Sequence, residues 1–138
     1  MKHIVFTALA VGALLLGGLV APSHAGDIRF GRVWAGDKVL REGCHYYRYQ
    51  YVVRPRSKNW SLETFLREPS GQILTSGGFH FGEDPKRGSG RFRICNDTTR
   101  PGRFKISGKL TWKTRDLLGH ETKHVRWVKP GYFRMRRP

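Results

Sequence analysis

The chain has 138 residues, of which 26% are charged and 38% hydrophobic, and its formal net charge at pH 7 is +16. This length predicts one ordinary domain. Two cysteines exclude a four-cysteine zinc site, and no C-x-x-C pair is present for dithiol redox chemistry. The positive charge is concentrated in the second half of the chain, so we expect an anionic partner.

The first 25 residues have the layout of a secretory signal peptide. Lys2 precedes an apolar run from Ile4 to Val20, and Ser23-His24-Ala25 places small residues three before and one before a cut. The run is shorter than the ~20 residues of a membrane-spanning helix, although an uncleaved anchor is the alternative. No later segment is long and apolar enough to span a bilayer. We predict that residues 1–25 are cleaved and that residues 26–138 form one secreted, extracellular domain.

Short apolar and aromatic runs separated by turn residues predict strands throughout the mature chain. One of them, Trp60–Leu66, could equally be a helical turn. Loops or turns are expected at Gly82–Gly90 and at Lys129–Gly131. The strand candidates are Asp27–Ala35, Lys38–Leu40, Gly43–Val53, Trp60–Leu66, Gln72–Phe81, Arg91–Cys95, Gly102–Arg115, His120–Val128 and Tyr132–Arg136.

The strand at Gly43–Val53 contains four of the five tyrosines of the chain. Because side chains alternate along a strand, Tyr47, Tyr49 and Tyr51 share one face. We expect this face to be core, with the phenolic hydroxyls hydrogen-bonded at the sheet margin. The alternative is an exposed aromatic surface on which sugar rings or bases stack.

The segment Gly102–Arg115 has the clearest period-two pattern, in which apolar and polar residues alternate. It predicts a half-buried strand whose outer side chains repeat every ~6.6 Å, a spacing that can follow the charges of a polyanion. The alternative is a solvated face that also guards the sheet against aggregation. The predicted polyanion-binding residues are Arg103, Lys105, Lys109, Lys113 and Arg115, with Arg126 in support.

About seven to eight short strands at this spacing predict an all-β fold, a single antiparallel β-sandwich. The order Cys44, Trp60, Cys95 resembles an immunoglobulin-like or fibronectin-type module, although Arg93 stands where the antibody-type corner tyrosine would be. Export favours a Cys44–Cys95 disulfide over two free thiols. Cys44 lies opposite the tyrosine face, and Cys95 lies opposite Phe92. We therefore predict that the bridge joins strand ends instead of crossing the core.

The segment His120-Glu121-Thr122-Lys123-His124 matches the H-E-x-x-H pattern of zinc peptidases. That chemistry needs a helix, so that both histidines reach one ion, and a third ligand. Gly119 precedes the motif and β-forming residues follow it, which favours a strand, on which the two histidines lie ~13 Å apart. We predict no metal site and no catalytic residues here. Asn59 and Asn96 begin formal glycosylation sequons.

These patterns together predict a secreted, non-catalytic binding protein that adheres to anionic polymers or glycans of the cell envelope. We expect no cofactor and no specific nucleic-acid role. The alternatives are a structural or protein-interaction module whose charge serves solubility, a secreted toxin or antimicrobial, and a zinc hydrolase that uses His120-Glu121-x-x-His124.

Overall fold

The computed structural model describes residues 25–138, so the predicted signal peptide lies outside the described residues except for Ala25. The described chain contains eight strands and no helix, which confirms the predicted all-β class. Trp60 begins a strand and not a helical turn. The strands are β1 Asp27–Trp34, β2 Lys38–Val39, β3 Cys44–Val53, β4 Trp60–Arg67, β5 Ile73–His80, β6 Arg87–Cys95, β7 Gly102–Arg115 and β8 Glu121–Arg136.

All eight strands belong to one mixed sheet with the order β5-β4-β7-β8-β1-β3-β6, and β2 pairs with the end of β8. β1 and β2 run parallel to β8, whereas the other neighbours are antiparallel. The structure has this one nearly barrel-shaped sheet in place of the predicted sandwich of antiparallel sheets. The physical reason is the length of β8, since its 16 residues pair with β7, β1 and β2 and so join them in one sheet.

The turn predicted at Lys129–Gly131 is wrong, because β8 runs through it. Opposite this segment, Ile106 of β7 pairs with Gly131 and Gly108 pairs with Val128, so the register shifts between them. A β-bulge of this kind bends a strand without ending it, and it accepts a proline that cannot donate to the ladder. Pro130 therefore marks a bend in a continuous strand.

The tyrosine row of β3 lies in the core, as predicted. Tyr47, Tyr49 and Tyr51 are all buried. The hydroxyl of Tyr49 shares a 2.8 Å hydrogen bond with Thr64 of β4, and Tyr51 donates to the carbonyl oxygen of Pro85 at 2.8 Å. The Tyr47 hydroxyl accepts the backbone N–H of Arg41 at 3.0 Å. Each buried phenol thus retains a hydrogen-bond partner.

β6 is longer than predicted, since it begins at Arg87 and includes two glycines of the predicted loop Gly82–Gly90. Gly88 lies opposite Tyr51 and Gly90 lies opposite Tyr49 across the β3–β6 ladder. A Cβ atom on Gly90 would lie 2.5 Å from the Tyr49 ring, so the ring occupies the space that a side chain would need. Packing against a tyrosine therefore stabilises a glycine-rich strand that local propensity disfavours.

The disulfide between Cys44 and Cys95 is present, and it joins strand ends as predicted. Cys44 is the first residue of β3, Cys95 is the last residue of β6, and the two are directly opposite in the ladder. The bridge lies on the outer face, away from the tyrosine core, because parity places both cysteines there.

Burial of Tyr49 predicts a loss of stability at alkaline pH. Desolvation raises the pKa of Tyr49 to about 12, and its hydrogen bond to Thr64 opposes part of that rise. The phenol of an unfolded chain ionises near pH ~10. The neutral phenol of Tyr49 therefore contributes fully to stability below pH ~10, and this contribution is lost as the pH rises through the pKa of Tyr49 in the folded protein.

In a phenolate absorbance titration, Tyr49→Phe should remove a step near pH ~12 and flatten the alkaline decline in the free energy of unfolding. Tyr46→Phe, which changes an exposed tyrosine of the same strand, is the matched control. Burial also raises the pKa of Tyr51, so a late step that keeps its full amplitude in Tyr49→Phe would contradict this assignment.

Candidate functional site

The outer face of β7 carries the alternating cations that the sequence predicts. Phe104, Ile106, Gly108, Leu110 and Trp112 are buried on the inner face. The residues between them point to the outer face, where Arg103, Lys113 and Arg115 are exposed and Lys105 and Lys109 are half-buried. The predicted strand bounds, Gly102–Arg115, match β7 at both ends.

Acidic neighbours neutralise most of this row. Lys109 forms an ion pair with Glu63 of β4. Glu121 binds both Lys113, at 3.2 Å, and Arg115, at 2.9 Å. The hydrogen bond from Arg115, followed by that from Lys113, holds the pKa of Glu121 below its usual range. These three cations are already partly neutralised, so they attract an incoming polyanion less strongly than three free cations would.

The other two members of the row lie against an aromatic ring. The guanidinium of Arg103 is 4.2 Å from the ring centre of Tyr132, and the Lys105 ammonium is 5.8 Å from it. A cation in this position keeps its charge and gains a modest attraction to the ring. Arg103 and Lys105 therefore remain available to an anion.

Arg126 lies on the other face of the sheet from this row. It is directly opposite Leu110, whose side chain faces inward, and its guanidinium is 5.7 Å from the ring centre of Phe30. It lines a cavity of about 270 Å³ together with Phe30, Arg56, Trp112, Thr114 and His124. The six predicted residues therefore do not form one surface.

A second group of cations forms a larger uncompensated surface, which we call the arginine face. In the β3–β6 ladder Arg48 is directly opposite Arg91, while Tyr46 is opposite Arg93 and Val52 is opposite Arg87. β1 extends the same face, because Arg32 is also paired with Val52. The arginine face comprises Arg32, Arg48, Arg87, Arg91 and Arg93, all of them exposed.

No acid neutralises the arginine face within residues 25–138. β3 and β6 contain no aspartate or glutamate, and none of the ion pairs of the described chain involves these five residues. Like charges directly opposite each other in a ladder are destabilising. A bound anion would relieve that repulsion, so electrostatics favour occupancy of this face.

Aromatic and polar side chains lie among these arginines. Trp34 is paired with Gln50, which places its indole on the same face, and the guanidinium of Arg32 is 4.3 Å from the Trp34 ring centre. A shallow groove of about 300 Å³ runs beside them, lined by Trp34, Arg48, Gln50, Arg87, Gly88 and Ser89. The face therefore combines guanidinium donors with a ring surface.

This face could have been found from the sequence. The Cys44–Cys95 bond sets the register of two antiparallel strands, so each step forward from Cys44 is matched by a step back from Cys95. Counting in this way pairs Arg48 with Arg91. The alternation in Gly102–Arg115 is more regular, but a regular alternation indicates that one face of the strand is buried and does not indicate that the cations of the other face lack counter-ions.

The H-E-x-x-H segment is not helical. Glu121 begins β8, and His124 lies on that strand, where its Nε2 is 2.8 Å from the Thr114 hydroxyl. The Nδ1 of His120 is 2.9 Å from the carboxylate of Asp116. The zinc-peptidase arrangement needs both histidines one helical turn apart with a free glutamate, and here Glu121 is engaged by two cations.

In the described part of the chain, one cluster of His, Cys, Asp and Glu could meet at a metal ion, and it consists of Cys44, Cys95 and Asp97. Both of its cysteines are in the disulfide, so they do not supply thiolate ligands. Between residues 25 and 138 no helix is long and apolar enough to cross a membrane.

The fold and this surface define an all-β, disulfide-bonded protein with one uncompensated arginine array. Comparison with known proteins found no match for the chain among family models, curated proteins or solved structures. The resemblance to immunoglobulin-like modules stays a prediction.

Proposed function

We propose that the protein is a secreted, non-catalytic binding protein that adheres to anionic polymers or glycans at the cell envelope. The arginine face is the proposed contact surface. The observation that carries the proposal is the Arg48–Arg91 pair, in which two exposed guanidiniums lie opposite each other with no acid on either strand. Secretion rests on the predicted signal peptide at residues 1–25.

The geometry of the ladder suits a polymer better than a single small anion. Arg91 and Arg93 repeat along β6 at ~6.6 Å, and neighbouring strands lie ~4.8 Å apart, so the guanidiniums form a two-dimensional array. Each planar guanidinium can bind a carboxylate, sulfate or phosphate through two parallel hydrogen bonds. Arg103 and Lys105 on β7 supply a secondary contact.

Polyanion affinity should depend on the arginine face and not on net charge alone. We expect Arg48→Gln/Arg91→Gln/Arg93→Gln to elute from immobilised heparin at much lower salt than the unchanged protein. Each lost ionic contact lowers the number of counter-ions that are released on binding. The plot of log affinity against log salt should therefore become less steep, by about two to three in slope.

A second triple variant removes the same charge elsewhere. Lys109→Gln/Lys113→Gln/Arg115→Gln changes three cations that Glu63 and Glu121 already partly neutralise, and we expect a smaller effect than for the arginine-face variant. Thermal midpoints for both variants would show that each is folded. If the two variants elute together, retention follows net charge only, and the charge then serves solubility, as in the alternative prediction.

A further inference from the structure

The hairpin between β7 and β8 ends in two leucines that contact almost nothing. Leu117 and Leu118 have relative exposures of 105% and 83%, the highest among the large hydrophobic residues that the structure describes. Scattered exposed apolar residues are ordinary, but two adjacent leucines at the apex of a protruding hairpin are a feature of binding surfaces. The apex therefore holds apolar surface in water, and its burial against a partner would be favourable.

The turn holds these leucines in a defined position. One carboxylate oxygen of Asp116 accepts the backbone N–H groups of Leu118 and His120, both at 2.9 Å. The N–H of Gly119 donates to the Asp116 carbonyl at 3.1 Å, and Gly119 has φ +87°, which suits glycine. The hydrogen bond from the His120 side chain holds the pKa of Asp116 below its usual range. An ordered apex loses little conformational freedom on binding.

Cations outnumber acids around this apex. Glu121 pairs with Lys113 and Arg115, whereas Lys123, which lies opposite Lys113 at the base of the hairpin, forms none of the ion pairs of residues 25–138. The loop between β3 and β4 is bound to the hairpin, because the Ser57 hydroxyl donates to the Lys113 carbonyl at 2.6 Å. This contact brings the exposed Arg56 and Lys58 of the same loop to this end of the sheet.

A cleft beside the apex can accept an anionic group. The guanidiniums of Arg56 and Arg126 are each 5.7 Å from the ring centre of Phe30. Trp112 also lines this cavity of about 270 Å³, and its indole N–H is buried without a hydrogen-bond partner within residues 25–138. Both guanidiniums line the same cavity and no acid lines it, so an anionic group such as a phosphate finds two charged donors there.

We infer that this end of the molecule docks on a lipid bilayer that contains anionic phospholipids. Leu117 and Leu118 enter the boundary between headgroups and acyl chains, and Arg56 and Arg126 hold a headgroup phosphate. A convex apolar apex with a collar of cations is complementary to an anionic bilayer, in which the apolar layer lies beneath the charged one. The exposed Phe81, which lines a shallow pocket with Trp112 and Lys113 at the same end, adds apolar surface. This docking does not depend on the arginine face.

The test is co-sedimentation of the exported protein with phosphatidylcholine vesicles made with and without phosphatidylglycerol. We expect binding to the anionic vesicles, and we expect Leu117→Ser/Leu118→Ser to weaken it roughly 30-fold. Val39→Ser/Ile73→Ser is the matched control, since it changes two exposed apolar residues at the opposite end of the sheet. This control should bind as the unchanged protein does.

Arg56→Gln/Arg126→Gln should weaken binding to the anionic vesicles about tenfold or more and leave heparin retention largely intact. The leucine variant should also keep its heparin retention, which separates this inference from the proposed function. If the leucine variant sediments with vesicles as the unchanged protein does, the apex faces something other than lipid, such as a protein pocket, and the inference is overturned. The inference is also overturned if the unchanged protein binds neither kind of vesicle.

Discussion

Replacement of both cysteines, Cys44→Ser/Cys95→Ser, is expected to lower the free energy of unfolding by about 4 kcal/mol. The bridge joins residues 51 positions apart, and in the chain-entropy model a crosslink of this span removes that much disorder from the unfolded chain. It also joins the ends of β3 and β6, where β6 is the last strand of the sheet and has a ladder partner on one side only. A decrease of this size is a large part of the stability of a small domain.

Urea unfolding of the oxidised, unchanged protein, its reduced form and the serine variant measures this effect. The reduced form opens the same bond without a change of sequence, so it is the matched control, and its midpoint should agree with that of the variant. A loss of less than about 1 kcal/mol would falsify the view that this bridge is a main source of stability.

Gly31→Ala is expected to lower the free energy of unfolding by about 3 kcal/mol or more. Gly31 has φ +130°, a conformation that an alanine rarely adopts. A Cβ atom there would overlap the carbonyl oxygen of Val52 and lie 2.9 Å from the Cα of Val53. Both neighbours are backbone atoms of β3, so no side chain can move to accommodate the methyl group.

Gly36→Ala is the matched control for this change. Gly36 follows the same strand, and no atom lies within 4 Å of the position that its Cβ would occupy. Thermal and urea unfolding should show Gly36→Ala unchanged within about 0.5 kcal/mol. Equal stability for the two variants would mean that the β1–β3 ladder can shift to admit the methyl group at Gly31.

The local patterns predicted most strands well. β7 has the predicted bounds, and β1, β3, β4 and β5 lie within one or two residues of the predicted ones. The errors lie where a distant strand overrides local propensity. Gly88 and Gly90 belong to a strand because tyrosine rings from β3 cover them, and Pro130 lies inside a strand because a bulge against β7 accommodates it.

In the predicted site, too, local alternation is predicted correctly and contacts between distant strands are not. The outward direction of Lys109, Lys113 and Arg115 follows from alternation along one strand. Their ion pairs do not, because Glu63 is on β4 and Glu121 comes after the turn that follows β7. Arg126 is a predicted supporting residue of the same surface, but its register with Leu110 places it on the opposite face. Neutralisation of a charge depends on strand pairing, which periodicity does not reveal.

The sequence by itself determined the all-β class, which side chains of one strand share a face, and a disulfide at strand ends. These properties follow from the two-residue period of a strand, which is local. Only the tertiary structure decided the single mixed sheet, the parallel pairing of β1 with β8 and the place of Arg32 beside the arginines of β3 and β6. Those depend on which distant strands become neighbours, because burial of apolar surface and the balance of charges are properties of the whole sheet.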